Sequence, residues 1–178
     1  MRIVSRFAVG ALVLTLLTAC VSRSGPEVLP PSSQPPSASP VDGECDTTDI
    51  EVTGELDEAP MVTIPDDCAP PTTLLVRDLV RGDGPQAVTG TSLEVSYVLV
   101  LWSSGTVLDS TWYAGESLPS PVSDLGHGEL VRGWAEGLPG IREGGRRVIV
   151  VPPAQDGGEE EGDETFVYVV DALSVTPR

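Results

Sequence analysis

The chain has 178 residues, room for one ordinary domain with appendages and too few for two full cores. Acidic residues outnumber basic ones 27 to 10, and every basic residue is arginine, so the folded surface repels phosphate backbones and anionic headgroups. Nucleic acid is thereby excluded as an expected partner.

The N-terminus reads MRIVSRFAVGALVLTLLTAC: two arginines, an apolar run from Phe7 to Leu17 too short to span a bilayer comfortably, then small residues before a cysteine. This is the pattern of an export signal. Leu17-Thr18-Ala19-Cys20 resembles the lipobox of bacterial lipoproteins, which implies removal of residues 1–19 and a lipid on Cys20, the new N-terminus; two or three acyl chains hold a protein stably where one does not. The alternative is an ordinary secretory signal with an incidental cysteine. On the lipobox reading the protein is extracytoplasmic and anchored to the cell membrane. Residues 20–43 come next, rich in proline and serine with almost no periodic apolar positions, and predict a disordered, partly polyproline II tether.

Residues 44–71 carry two short alternating runs, Ile50 to Thr53 and Met61 to Ile64, which read as strands bracketed by Cys45 and Cys68. An even cysteine pair outside the cytoplasm favours a disulfide, here closing a loop of about two dozen residues. Free thiols or a metal pair are the alternative, but two cysteines without a nearby histidine make a poor zinc site. The segment is too small to own a core and is expected to pack on the strand-rich domain C-terminal to it.

Strand patterns dominate residues 72–178. Leu74 to Val80 is apolar with Arg77 and Asp78 interspersed, and Arg81-Gly82-Asp83-Gly84-Pro85 reads as a turn, not as an adhesion motif. Leu93, Val95, Tyr97, Leu99 and Leu101 fall on one face of a long strand, with Glu94 and Ser96 beginning the other. A turn at Trp102 to Gly105 leads to a strand at Thr106 to Asp109. Later strands are expected at Arg147 to Val151 and Phe166 to Val175, both rich in β-branched residues. One short helix, near Trp134 to Leu138, is cut off by Pro139 and Gly140. Gly133 lets the backbone turn sharply, Trp134 opens the helix, and Leu138 one turn later seats it. If the face carrying Tyr97 and Tyr168 closes over this helix, the three aromatics either surround an apolar cavity or simply fill a core.

Leu130 to Pro153, LVRGWAEGLPGIREGGRRVIVVPP, resembles the signature of FKBP-type peptidyl-prolyl cis-trans isomerases, and LEVSYVLVLWSSGTVLDST and TFVYVVDAL resemble that family's flanking strands, in the family's order. The resemblance covers roughly Leu74 to Val175. It implies an α+β fold, an FKBP-like antiparallel half-barrel sheet wrapped around one short helix. It also implies a prolyl pocket floored by Trp134, with Tyr97, Asp109 and Tyr168 as catalytic positions and Leu108, Leu130 and Val131 contacting substrate. The Val131 N–H would hold a substrate carbonyl, and Asp109 would be a buried electrostatic element, or else a turn residue capping Ser110 and Thr111. Proline-containing polypeptides are the implied clients, with no cofactor and no metal. The pattern departs after Pro153: Gly157 stands where the family has a pocket tyrosine, and the loop is short and acidic. A catalytically degenerate binding or chaperone module is therefore the alternative to an enzyme. His127 stands near no nucleophile, which argues against a hydrolase triad. No oligomer-forming stripe is visible, and a monomer is expected.

Overall fold

A computed structural model describes residues 43–56, 58–127, 130–153 and 163–177. The signal, Cys20 and the rest of the tether up to residue 42, and Gly157 lie outside the described residues. Two three-residue strands, β1 (Glu51–Thr53) and β2 (Met61–Thr63), form an antiparallel hairpin. The main sheet contains β3 (Leu75–Val80), β4 (Ser92–Leu101), β5 (Val107–Ser110), β8 (Ser120–Val122), β9 (Arg146–Val151) and β10 (Phe166–Thr176). Its order is β3-β9-β10-β4-β5, with β8 also paired to β4, and every pairing is antiparallel. A small hairpin of β6 (Trp112–Tyr113) and β7 (Glu116–Ser117) comes after β5, and α1 (Arg132–Gly137), the one helix among the described residues, precedes β9. The helix begins two residues earlier than the sequence pattern places it.

Because side chains alternate across a strand, the sheet sorts its residues into two cores. Leu93 and Val95 of β4, Ile149 and Val151 of β9, and Val170 and Ala172 of β10 point inward, where they pack with Trp134, Leu138 and Ile141. Val98 and Val100 of β4, Val148 and Val150 of β9, and Val167 and Val169 of β10 point outward and are equally buried. Glu94 and Ser96 begin the other face of β4, as expected, and from Val98 onward that face is apolar too. β9, buried along its whole length, carries the run Val148-Ile149-Val150-Val151 that a strand covered on both faces requires.

Residues 43–71 supply the outer cover. Cys45 and Ile50 belong to the outer core, and Val52, Val62, Ile64 and Cys68 pack against it. The segment therefore lies on the face opposite Trp134 and does not cover the inner face. Burying a valine side chain contributes roughly 1.5–3 kcal/mol over leaving it exposed, so a cover over six outward valines is a substantial part of this small domain's stability. A disulfide joins Cys45 to Cys68, with Cα atoms 5.2 Å apart. Beside it the Cys45 N–H donates to Ala69 O (2.8 Å) and the Ala69 N–H to Gly43 O (2.9 Å).

The paired arginines at the start of β9 serve one face each. Arg146 points outward: its Nε and Nη2 donate to the Asp171 carboxylate at 2.6 and 2.7 Å, its Nη1 donates to Gly54 O (2.7 Å), and Nη2 also reaches Glu55 O (2.9 Å) and Glu58 O (3.1 Å) in the β1–β2 loop. Arg147 points inward: its Nε donates to Asp78 (2.6 Å) and its Nη1 to Gly137 O (2.9 Å) and Pro139 O (3.0 Å). It thus satisfies the orphan carbonyls at the end of α1, whose own last turn has no basic residue. The Arg81 to Gly84 turn is structural, as expected. A Cβ on buried Gly82 would overlap the Glu143 carbonyl, and Arg142 Nη1 donates to Gly84 O (3.0 Å).

Candidate active site

The helix carrying Trp134 is short but tightly seated. Gly133 and Gly137, four residues apart, share the face that presses on β9. A Cβ at Gly133 would overlap Val151, and one at Gly137 would lie 2.7 Å from an Ile149 methyl. Each glycine costs a helix about 1 kcal/mol relative to alanine, and the close approach to the sheet is what that cost secures. Trp134, one position further round, is consequently turned along the inner face towards β4 and β10.

There it meets the two tyrosines. The Trp134 and Tyr97 rings are 5.1 Å apart at 86°, and the Trp134 and Tyr168 rings 5.9 Å apart at 77°, both edge-on; Tyr97 and Tyr168 lie 6.4 Å apart. Edge-to-face pairs of this kind each contribute about 0.5–1.5 kcal/mol beyond the area they bury. Trp134 is only 8% exposed, whereas Tyr97, Tyr168, Leu130 and Phe166 are half-buried and pack around it. The result is an indole floor with a partly open aromatic and aliphatic rim.

On that rim the Tyr97 hydroxyl donates to Asp109 Oδ2 at 2.6 Å, while Asp109 Oδ1 accepts the Ser110 N–H at 2.8 Å. Of the capping read for Asp109, the bond to Ser110 is present, whereas the Thr111 N–H goes to Tyr97 O instead. The expectation that it is buried is corrected: Asp109 is exposed, because β5 is an edge strand of the sheet, paired among the described residues with β4 alone. Sequence reasoning did not single out Thr111 in this role. Its Oγ1 accepts the Tyr97 N–H at 2.9 Å, and its own N–H donates to Tyr97 O at 3.0 Å, fixing the tyrosine's backbone where β5 leaves the sheet.

The remaining candidates are less gathered. Leu130 packs on the inner core, but Val131 and Leu108 are 49% and 57% exposed, and Leu108 falls at the irregularity in the β4–β5 pairing. Val131 is the residue at the mouth of α1, and its carbonyl accepts from the Trp134 N–H (2.9 Å) and the Ala135 N–H (3.1 Å). His127 Nδ1 lies 3.4 Å from Asp124 Oδ1 in an exposed loop, consistent with a loop role.

Burial raises the Tyr97 phenol from its ordinary value near 10 to about 12, with further contributions from its hydrogen bond to Asp109, the Asp109 charge and Tyr168. A phenol whose folded-state value is raised favours folding fully below its unfolded value, and that contribution is lost between about pH 10 and 12. In a difference titration at the phenolate absorbance band, wild type should show one tyrosine ionising near 12 that Asp109→Asn moves back towards 10. An unchanged curve would mean that the carboxylate does not act on this phenol.

The sequence profile of the family "FKBP-type peptidyl-prolyl cis-trans isomerase" matches residues 84–172, which contain β4 to β9 and the first part of β10. The chain is 34% identical to an FK506-binding protein of Streptomyces anulatus over 113 residues, 60% of this chain and 89% of the relative. It is 32% identical to an FK506-binding protein of Neisseria meningitidis over 109 residues, 58% and 96% of the two chains. The crystal structure of FkpA from Escherichia coli matches with a TM-score of 0.49 at 28% identity, over 60% of this chain and 49% of that one. The chain belongs to the FKBP-type peptidyl-prolyl cis-trans isomerase family. Its fold is the FKBP-like α+β arrangement of an antiparallel sheet around one short helix.

Proposed function

We propose that the protein isomerises Xaa-Pro bonds of exported polypeptides outside the cytoplasm, held to the cell membrane by a lipid on Cys20. The observation that carries the catalytic part is the indole of Trp134, walled by Tyr97 and Tyr168 and bordered by the Tyr97–Asp109 hydrogen bond, within the span matched to the isomerase family. The compartment rests on the export-signal pattern of residues 1–19 and on the Cys45–Cys68 disulfide, a bond that persists in oxidising surroundings.

The chemistry asks for no metal, nucleotide or covalent nucleophile. Rotation about an Xaa-Pro bond crosses a barrier of roughly 20 kcal/mol because it breaks amide resonance. In the twisted state the carbonyl is less polar and the nitrogen pyramidal, so a dry aromatic site favours it over the water-solvated planar amide. The prolyl ring would lie on Trp134, with Leu130 and Leu108 flanking it and the Val131 N–H taking the preceding carbonyl. The Tyr97 hydroxyl, fixed by Asp109, and Tyr168 would close the sides. Proline-containing segments are the substrates on this reading, and residues 44–71 support the sheet from behind without touching substrate.

A protease-coupled assay on short Xaa-Pro peptides with the full chain should give isomerisation well above the uncatalysed rate. No acceleration, together with retained peptide binding, would replace this reading with the binding module. Metabolic labelling with palmitate, lost in Cys20→Ser, tests the anchor independently; label that survives the substitution would refute it.

A further inference from the structure

The two cysteines of the disulfide are not equally exposed. Cys45 is 3% exposed and belongs to the outer core, whereas Cys68 is half-buried and lines a cleft of about 410 Å³ with Ile64, Pro65, Asp66, Trp102 and the Ser103 to Gly105 turn. Thiol–disulfide exchange begins when a thiolate reaches one sulfur, and access decides which. The cleft gives that access at Cys68.

The attachments of the cover are also divided. Near the bridge are the paired backbone bonds of Cys45 with Ala69 and Ala69 with Gly43, and the Thr72 hydroxyl bonded to Glu44 at 2.9 Å. At the far end Arg146 grips the β1–β2 loop through Gly54, Glu55 and Glu58. Breaking the disulfide would leave the first end on these exposed hydrogen bonds alone, so that it opens more readily, and leave the second held by Arg146. Charge adds a filter: the cleft carries Asp66, and an Asp49 carboxylate oxygen lies within 4.8 Å of both sulfurs.

We propose that Cys68 is a thiol-exchange site, addressed through this cleft by small neutral or cationic thiols and dithiols, and that exchange there opens one end of the outer cover while the Trp134 site stays intact. The external thiolate attacks Cys68 Sγ, the Cys45–Cys68 bond breaks, and Cys45 leaves as a thiolate that takes a proton from water. With a dithiol, the second thiol attacks the mixed disulfide, Cys68 is released, and the reagent ends as its own disulfide. Two electrons and two protons pass to the protein. Nothing in this exchange depends on the isomerase reading.

The full chain, treated briefly with cysteamine or 3-mercaptopropionate at equal thiolate concentration, is alkylated and peptide-mapped at Cys45 and Cys68. The mixed disulfide should form on Cys68 about tenfold more than on Cys45, and cysteamine should react about fivefold faster than the anionic thiol. Asp66→Asn should narrow that preference. After full reduction by dithiothreitol, the Cys45 and Ala69 amides should exchange with deuterium about tenfold faster, while the Leu138 amide, bonded to Trp134 O, keeps its protection. Adducts favouring Cys45, no charge preference, or loss of protection across the whole domain would overturn the proposal.

Discussion

Replacing Trp134 by leucine is expected to lower kcat/KM on a short Xaa-Pro peptide about tenfold or more while the domain remains folded. The indole makes edge-on contacts with both Tyr97 and Tyr168 and is the floor on which the prolyl ring would rest. Two aromatic contacts of about 0.5–1.5 kcal/mol each set the scale, since about 1.4 kcal/mol is a factor of ten in rate. Leucine keeps the site apolar and holds the core better than alanine would. Near-ultraviolet circular dichroism and a denaturation midpoint separate lost chemistry from lost fold. If kcat/KM stays within about twofold of wild type in a folded variant, the indole is a core residue and nothing more.

The largest stability effect is expected on the opposite face. Arg146→Met should destabilise the domain by about 3–5 kcal/mol, because removing one member of a buried ion pair leaves its partner's charge uncompensated. Arg146 and Asp171 are each 2% exposed, and the same guanidinium satisfies carbonyls of the loop that ties the cover down. Urea denaturation measures the change. Combining Arg146→Met with Asp171→Leu should recover part of the loss, since a buried pair replaced by apolar groups of similar size is often tolerated. A single substitution costing under about 1 kcal/mol would mean that water takes over the guanidinium's contacts and that the cover is not held this way.

The fold around the helix was legible because its signals are long or specific. β4 is ten residues long and carries Leu93, Val95, Tyr97, Leu99 and Leu101 on one face, and the glycine-tryptophan segment sits between two recognisable strands. The elements missed are those too short to show a period. β6 and β7 have two residues each, and their turn, Ala114–Gly115, has φ of 52° and 87°, a type I′ geometry that alanine rarely supplies. β8 contains a proline and pairs only at an edge of β4.

The site was legible to a similar depth. Trp134, Tyr97 and Tyr168 come together as the strand faces required, but the exposure of Asp109 depends on which strand lies beside β5, and sheet order is not written in local spacing. The outer core was hidden because polar Glu94 and Ser96 open a face that Val98 and Val100 then make apolar. Arg146 was visible only as one of a basic pair, since its carbonyl partners lie about ninety residues earlier in the chain.

Stacking of a proline ring on the Trp134 indole is the central claim, and the most direct measurement is the nuclear Overhauser effect between a bound Xaa-Pro peptide and the full chain. Cross-peaks from the prolyl ring protons to the Trp134 indole, with weaker ones to Tyr97 and Tyr168, are the predicted result. A bound peptide whose prolyl protons contact residues elsewhere, with the Trp134 resonances unshifted, would contradict it.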